Sequence, residues 1–221
     1  MLFRSIFDGD SMKELVETDM ERELHESTAQ HISDMVQDYE RSGAFGPTPI
    51  WKVLGDLANE GTALTLPLLE VYTDEEKVQM DVKGIAVFSG EKMAGYIDRE
   101  YGIFLYGYKG DIKKEYLLHL PEINDIPASA LEVSNTEYKT EITQAEQGVK
   151  AKISCDITAN LTSFQSEKDY LATDTIVFLE REYERYIREK FLDMVGLVQS
   201  KYGVDIFGFG NQVHIQLPDY W

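Results

Sequence analysis

The most regular pattern in the sequence lies between residues 149 and 162, where apolar and polar positions alternate without interruption. Apolar residues and Cys155 fill the odd positions, and polar or charged residues fill the even ones. A period of two predicts a β-strand with one buried face and one solvated face, which makes Cys155 a small core residue. Residues 130–142 precede this strand across a turn at 144–148, so the pattern predicts a long antiparallel hairpin.

The middle of the chain carries shorter strand patterns. Residues 85–88 and 93–97 are apolar segments on either side of a Ser-Gly pair, which predicts a second hairpin. Residues 64–71 are largely apolar, and Pro67 within them marks an edge or a bulge. Further strand patterns occupy residues 78–82 and 117–120.

The first 43 residues carry a helical pattern. Ser11 and Glu14 have the spacing of a capping box, and apolar residues recur at helical spacing as far as Tyr39. Gly43 ends this pattern, and residues 43–47 read as a linker. We therefore divide the chain into a helical segment over 1–45, expected to be the end of a preceding domain plus a linker, and a second domain over 46–221.

Two more helices are predicted in the second domain. Thr48 is expected to cap a short helix whose first position is Pro49. The apolar residues of this helix are Ile50, Trp51, Leu54 and Leu57. A long helix is predicted from Asp174 to Tyr202, with Gly203 as its C-terminal cap. The elements together predict an α+β fold, a largely antiparallel sheet packed by a long C-terminal helix and shorter helices.

The charge balance excludes two classes of partner. The chain has 40 acidic and 21 basic residues, which give a formal net charge of −19. A nucleic-acid-binding protein neutralises phosphates with clustered Lys and Arg, and electrostatic attachment to anionic lipid needs a polybasic segment. The charge is −8 in residues 1–60, −7 in 61–165 and −4 in 166–221, so no third of the chain offers either feature. We therefore expect no binding to nucleic acid.

The composition is otherwise that of a folded chain. It is 43% hydrophobic and contains 10 Phe, 13 Tyr and 2 Trp, which is too apolar for a disordered acidic protein. No run of about 18 apolar residues is present, so we expect a soluble chain without a membrane-spanning helix. Residues 1–7 are too short and too soon charged for a signal peptide.

The candidate chemical residues do not fall into a motif. The histidines lack the spacing that puts two metal ligands on one helix face; they are His25, His31, His119 and His214. The carboxylates of Asp98 and Glu100 could serve as the acid/base pair of a glycosidase, but a charged loop after a strand explains them equally well. The glycine-rich stretches 102–110 and 203–210 do not fit a phosphate-binding loop. We therefore predict no catalytic, cofactor-binding or metal-binding residues, and no cofactor.

The segment 202–221, YGVDIFGFGNQVHIQLPDYW, follows the long charged helix and resembles the C-terminal signature of a known family. That family is Ger(x)C, the GerAC-like C subunits of spore nutrient-germinant receptors. The matching positions are Tyr202, Gly203, Val204, Asp205, Ile206, Gly208, Gly210, Pro218 and Trp221. The segments 66–71 and 84–98 and the long strand pair also match in order, so the resemblance covers about 45–221. Family members look helical over 207–217, whereas Val213, Ile215 and Leu217 alternate like a strand, so the structure there stays open.

The resemblance implies a non-enzymatic lipoprotein subunit that is held at the outer face of the spore inner membrane. Such a subunit is required for germination signalling and acts through contacts with the membrane subunits of its receptor. Full-length members begin with a signal peptide and a lipid-modified cysteine, so we expect this chain to be a fragment that lacks the lipid anchor. The signature residues are expected to be structural or to make these contacts. Two alternatives stay open, a module that binds the germinant directly and a carboxylate-dependent glycan hydrolase.

Overall fold

The strands of the protein form two sheets, against which the helices pack. In this computed structural model the described residues are 6–7, 34, 38, 43–46, 48–74, 77–112, 115–124, 126–164 and 173–221. The strands are β1 (Ile6–Phe7), β2 (Thr65–Asp74), β3 (Lys77–Ser89), β4 (Lys92–Asp98), β5 (Tyr116–Leu120), β6 (Ser129–Gln144) and β7 (Val149–Phe164). The α-helices that lie within these ranges are α1 (Ile50–Leu57), α2 (Gly102–Tyr108), α3 (Thr173–Leu197) and α4 (Phe209–Gln216).

The first sheet has the strand order β1-β2-β3-β4. β1 is parallel to β2, and the other neighbours are antiparallel. β3 and β4 form the hairpin predicted over residues 85–97, which is therefore confirmed. The register of β2 against β3 shifts between Leu68 and Leu69, because Leu68 pairs with Gly84 and Leu69 with Val82, which leaves Lys83 of β3 as the extra residue. Pro67 itself pairs with Ile85, so the irregularity lies close to Pro67 but in the neighbouring strand.

The second sheet is antiparallel and has the order β5-β6-β7. β6 and β7 pair over their full lengths, so the long hairpin predicted from the alternating pattern is confirmed. Within the alternating stretch of β7 the half-buried residues are the odd-numbered apolar ones that pack against the core, Ile153, Ile157, Ala159 and Leu161, and Phe164 joins them at the end of the strand. The prediction that the odd-numbered residues face the core is therefore correct. Its inner face is covered only in part because β7 lies at the edge of the sheet.

The prediction that Cys155 is a buried core residue is wrong, since this residue is exposed. Its immediate neighbours, Ser154 and Asp156, are exposed as well, as expected in the middle of an edge strand. Tyr138 lies directly opposite on β6. Desolvation raises the pKa of the Cys155 thiol, and a hydrogen bond with Tyr138 lowers it in part, so the net direction is upward.

We expect Cys155 to react slowly with iodoacetamide at neutral pH, because the thiolate is the reactive form and its pKa is raised. The rate should keep rising to a higher pH in the folded protein than in the unfolded chain. Tyr138→Phe should push the profile further up in pH by removing the hydrogen bond to the thiolate. The same measurement on the urea-unfolded chain is the control. A rate that levels off in the folded protein at the same pH as in the unfolded chain, or at a lower one, would contradict the prediction.

One continuous hydrophobic core joins the two sheets. It takes Leu69, Ile85 and Ile97 from the first sheet, and Leu118 and Val133 from the second. Helix α2 contributes three consecutive buried residues, and α3 contributes side chains spaced along one face; these are Phe104, Leu105, Tyr106, Leu179, Tyr183, Phe191 and Met194. The α+β class is therefore confirmed, with two sheets where the sequence predicted one.

The predicted helix over 174–202 is confirmed, with one irregularity near its end. α3 runs from Thr173 to Leu197 and continues as a π-helical turn over Val198–Tyr202. Val198, at the start of that turn, is buried in the core. The described part of the chain contains no helix that is both long enough and apolar enough to cross a membrane.

Two expectations for α1 need correction. The helix begins at Ile50, and Pro49 is its N-cap rather than its first residue, without a capping hydrogen bond from a side chain. The apolar residues of α1 do not cover the sheet as expected, because its buried side chain is Val53, which packs with Leu64 and Leu66. The four apolar residues predicted for this helix are all exposed, namely Ile50, Trp51, Leu54 and Leu57.

The segment whose structure stayed open is a helix, α4, and not a strand. Val213 is its buried residue, whereas Ile215 is exposed. Of the predicted N-terminal helix, the structure describes positions 34 and 38, and both are helical. The rest of that helix lies outside the described residues, so the division of the chain between residues 45 and 46 stays a prediction.

Candidate functional site

Residues 205–210 form a loop organised around one carboxylate. The N–H groups of Phe207 and Gly208 both donate to Asp205 Oδ1 at 2.9 Å, and the N–H of Gly210 donates to Oδ2 at 2.8 Å. These donors lie just before or within the first turn of α4, where a helix offers them no internal acceptor. Asp205 therefore caps α4, and its negative charge suits the positive end of the helix dipole.

Two signature glycines in this loop are required by geometry. Gly208, the N-cap residue of α4, has a φ of 78°, in the left-handed region that favours glycine. Gly210 lies against the backbone of Gly61. A Cβ on Gly210 would lie 2.8 Å from the Gly61 Cα and 3.0 Å from its carbonyl oxygen, so no side chain fits between the two segments.

Backbone hydrogen bonds fasten the loop to the segment that joins α1 to β2. The N–H of Ala63 donates to the carbonyl of Asp205 at 2.6 Å, and the N–H of Asn211 donates to the carbonyl of Gly61 at 3.2 Å. The loop therefore sets the path by which the chain leaves α1 and enters the first sheet.

The first two signature residues fasten the end of the long helix to the same sheet. The hydroxyl of Tyr202 donates to the carbonyl of Tyr96 in β4 at 2.6 Å. The Tyr202 ring also lies over Gly95, where a Cβ would be 2.3 Å from Tyr202 Cε1. Gly203 then ends the helix with a φ of 64°, which confirms the predicted C-terminal cap.

The aromatic residues between the signature glycines pack inward. Phe207 and Phe209 stack on each other with ring centroids 5.2 Å apart, and both contact Tyr108 of α2 edge-on. Phe207 also contacts Phe191 of α3 at 5.5 Å. The stretch between the signature glycines is therefore packed against the core.

The last two signature residues, Pro218 and Trp221, lie apart from this loop, in an exposed turn after α4. The N–H of Trp221 donates to the carbonyl of Leu217 at 3.3 Å, and its ring stacks on His214 with centroids 5.4 Å apart. Trp221 is nevertheless 54% exposed, and Ile215 is 72% exposed. The structure thus separates the signature into a packed loop and an exposed end.

A group of charged side chains lies between α1, the end of α2 and the signature loop. Lys52 Nζ forms an ion pair with Asp111 Oδ2 at 2.5 Å. Desolvation lowers the pKa of Lys109, an effect that the nearby charge of Asp56 opposes. Desolvation likewise raises the pKa of Asp56, against the charges of Lys109 and Lys52. The field of Asp205 also acts on Lys109, so this polar cluster connects the loop electrostatically to α1.

Residues considered for chemistry on sequence grounds are engaged elsewhere or lie on the surface. Arg99 pairs with Asp81 at 2.8 Å and Glu100 with Lys190 at 3.2 Å. His119 and His214 are exposed, while His25 and His31 lie outside the described residues. Within the described ranges, no group of three or more His, Cys, Asp or Glu side chains is arranged to hold a metal ion.

One cavity of about 600 Å³ lies between the end of α2 and the strands β5 and β6. Its volume is in the range of small-molecule sites, and its polar lining includes Glu115, Asn135 and Thr136. The glycan hydrolase alternative requires two carboxyl groups across a cleft. Glu115 is the one carboxylate in the lining of this cavity, which therefore gives that alternative no support.

Sequence reasoning missed the surface that α1 presents. Lys52 and Asp56, four residues apart, share one helix face, and the apolar residues share the other; this division was visible in the sequence. Which face is the inner one could not be predicted, because the charged groups that attract the polar face, Lys109 and Asp111, come from a distant part of the chain.

A comparison with protein families shows to which family the fold and the C-terminal signature belong. The model described as "Spore germination B3/GerAC like, C-terminal" matches residues 83–221. The chain belongs to this GerAC-like spore germination family. The match includes the whole signature loop, α3 and the long β6–β7 hairpin, so the resemblance seen in the sequence is confirmed.

The GerAC-like fold is also found in a solved structure. The crystal structure of the GerBC protein superposes on this GerAC-like chain with a TM-score of 0.64 at 16% sequence identity. The match covers 99% of this chain and 70% of that chain. A search of curated proteins gives no significant match.

Proposed function

We propose that the protein is a non-enzymatic subunit of a spore nutrient-germinant receptor and takes part in germination signalling through contacts with the membrane subunits of that receptor. Membership of the GerAC-like family supports this role. The observation that carries the proposal is the exposed end of the signature, where Ile215, Tyr220 and Trp221 remain largely in water. Exposed aromatic and large apolar side chains grouped in one segment are typical of a surface that another protein covers.

Within this proposal the signature residues divide into two roles. Tyr202, Gly203, Asp205, Gly208 and Gly210 build the loop and hold it against the first sheet. Pro218 and Trp221 present the contact surface, since Pro218 fixes the turn after α4 and Trp221 is exposed at its end.

The proposal also places the protein at the outer face of the spore inner membrane. The net charge of −19 opposes electrostatic attachment to an anionic bilayer. Attachment would then depend on a covalently bound lipid, because an acyl chain inserts regardless of surface charge.

The test is recovery of the receptor's membrane subunits with the full-length protein after detergent extraction. Replacing Tyr220 and Trp221 with serine should lower this recovery about tenfold or more, because buried aromatic anchors commonly contribute at least 1–2 kcal/mol each to an interface. Both side chains are exposed, so the melting temperature of the isolated chain should stay unchanged. Leu117→Ser, at an exposed position on β5, is the matched control. Equal recovery for the double variant and the control, or no recovery with the wild type, would refute the proposal.

A further inference from the structure

An ordinary surface helix buries its apolar stripe and exposes its polar face. Helix α1 has the opposite orientation. Its polar residues Lys52 and Asp56 point to the charged groups of the protein body. Its apolar residues form one continuous stripe on the outer side, where Trp51 is 72% exposed and Leu54 is 59% exposed. Ile50 and Leu57 extend this stripe over two turns. We call these four residues the outer face of α1.

The protein fixes α1 in this orientation. The Lys52–Asp111 ion pair holds one side of the helix, and Val53 packs with Leu64 and Leu66 beside it. Turning the outer face inward would break this ion pair and expose Val53. The segment after the helix is fastened at Gly61 and Ala63 by the signature loop. The exposure of the outer face is therefore a consequence of specific contacts.

Gly55 indicates what kind of structure packs on this helix. It lies in the middle of α1 and is exposed, and a Cβ on it would meet no atom within 4 Å. Glycine weakens a helix interior relative to alanine, and nothing in the described structure requires glycine here. Small residues on a helix surface let a second helix approach closely, and the exposed Ala58 follows one turn later.

The charges of the candidate partners restrict which of them can dock on the outer face of α1. Glu60 is exposed just beyond α1, where the negative end of the helix dipole lies. A second copy of the chain would bring one net charge of −19 against another, and an anionic lipid surface would be repelled in the same way. The residues before α1, 1–49, carry 11 acidic and 4 basic side chains, a net charge of −7, and offer no better match. A segment with basic residues beside its apolar side chains complements this face.

We propose that the outer face of α1 is a docking site for an amphipathic helix of a partner protein. The apolar side of that helix packs over Gly55 and Leu54, and a Lys or Arg on it lies near Glu60. The signature loop contributes by holding the segment that follows α1 at Gly61. This inference rests on the proposed function, since the partner is taken to be a subunit of the same receptor.

The first test locates the occupant by photo-crosslinking in the complete receptor. A photoreactive phenylalanine analogue is placed at position 54 in the full-length protein, and the same analogue at position 192 is the control. Leu192 is also 59% exposed and helical, but it lies among charged residues of α3. We expect position 54 alone to crosslink to a helical segment of another subunit that carries Lys or Arg. Crosslinks to lipid, to a second copy or to residues 1–42 of the same chain would overturn the proposal, as would no crosslink at all.

The second test uses a substitution whose effects on folding and docking have opposite signs. Gly55→Ala should raise the melting temperature of the isolated chain by about 2–4 °C, because the added methyl strengthens the helix without a clash. The same methyl should lower recovery of the partner subunit several-fold by keeping the two helices apart. Leu54→Lys should also lower recovery, whereas Leu192→Lys should leave it unchanged.

The outcomes separate this inference from the proposed function. If the wild type recovers the membrane subunits and Gly55→Ala recovers them equally well, the docking site on α1 is wrong and the receptor role stands. If the wild type recovers none, the receptor role itself fails. Reduced recovery with Gly55→Ala despite a higher melting temperature supports the docking site, since a purely structural role for Gly55 predicts no loss.

Discussion

Replacing Asp205 with alanine should lower the free energy of unfolding by about 3 kcal/mol, since hydrogen bonds to a charged acceptor contribute roughly 1.5–3 kcal/mol each and do not add fully. The change leaves the N–H groups of Phe207, Gly208 and Gly210 without the carboxylate that they share. It also removes the charge at the N-terminus of α4. For a chain of this length the loss corresponds to a fall in melting temperature of about 6–12 °C.

Two further variants make this expectation specific to the carboxylate. Asp205→Asn keeps one acceptor oxygen for Phe207 and Gly208 and faces the Gly210 N–H with an amide donor, so it should lose about half as much. Asp219→Ala removes an exposed carboxylate from the turn after α4 and should stay within about 0.5 kcal/mol of the wild type. Thermal and urea unfolding, followed by circular dichroism, measure all three. If Asp205→Ala unfolds like Asp219→Ala, the loop is not held by its carboxylate.

The second large effect is expected for Gly210→Ala. Its Cβ would lie 2.8 Å from the Cα of Gly61, and backbone cannot move aside as a flexible side chain can. The loop and the 61–63 segment must separate, which strains the hydrogen bonds that Ala63 and Asn211 make across the contact. Overpacking of this kind costs about 1–3 kcal/mol, and the strained bonds place the expected loss at the upper end.

The control for Gly210→Ala is the same substitution at Gly196. That residue lies in α3, and a Cβ there would meet no atom within 4 Å. Gly196→Ala should therefore stabilise the protein by about 0.5–1 kcal/mol, because alanine favours the helix and restricts the unfolded chain. Opposite signs in the urea midpoints of the two variants are the expected result. A Gly210→Ala protein as stable as the wild type would show that the loop is not closely packed on Gly61.

The elements that were predicted correctly are those determined by residues close together in the sequence. The alternating pattern identified β7 and its hairpin with β6, since strand periodicity is written in consecutive residues. Gly203 was recognised as a helix cap for the same reason. Cys155 was misplaced because alternation shows the side of a strand on which a residue lies, but not how much of that side is covered. Coverage depends on the edge position of β7, which is a property of the whole sheet.

The candidate site was predictable only in part, for a similar reason. The resemblance pointed to Asp205 and Gly210, but their partners at 61–63 lie in a segment with no motif of its own. The outer face of α1 was assigned to the core because an amphipathic pattern does not state which side is inward. The deciding contacts of Lys52 and Asp56 are with Asp111 and Lys109, beyond the first sheet in sequence.

The fastening of residues 205–211 onto residues 61–63 has a consequence for how the protein is made. Helix α1 and strand β2 emerge from the ribosome well before the backbone groups at 205–211 that anchor the segment between them. Contacts this far apart in sequence close slowly, because the long intervening loop must lose its entropy first. The first sheet therefore lacks this anchor until residues 205–211 have been made, and its apolar strands are exposed to aggregation during that interval. Translation that stops before Asp205 leaves a product that cannot close.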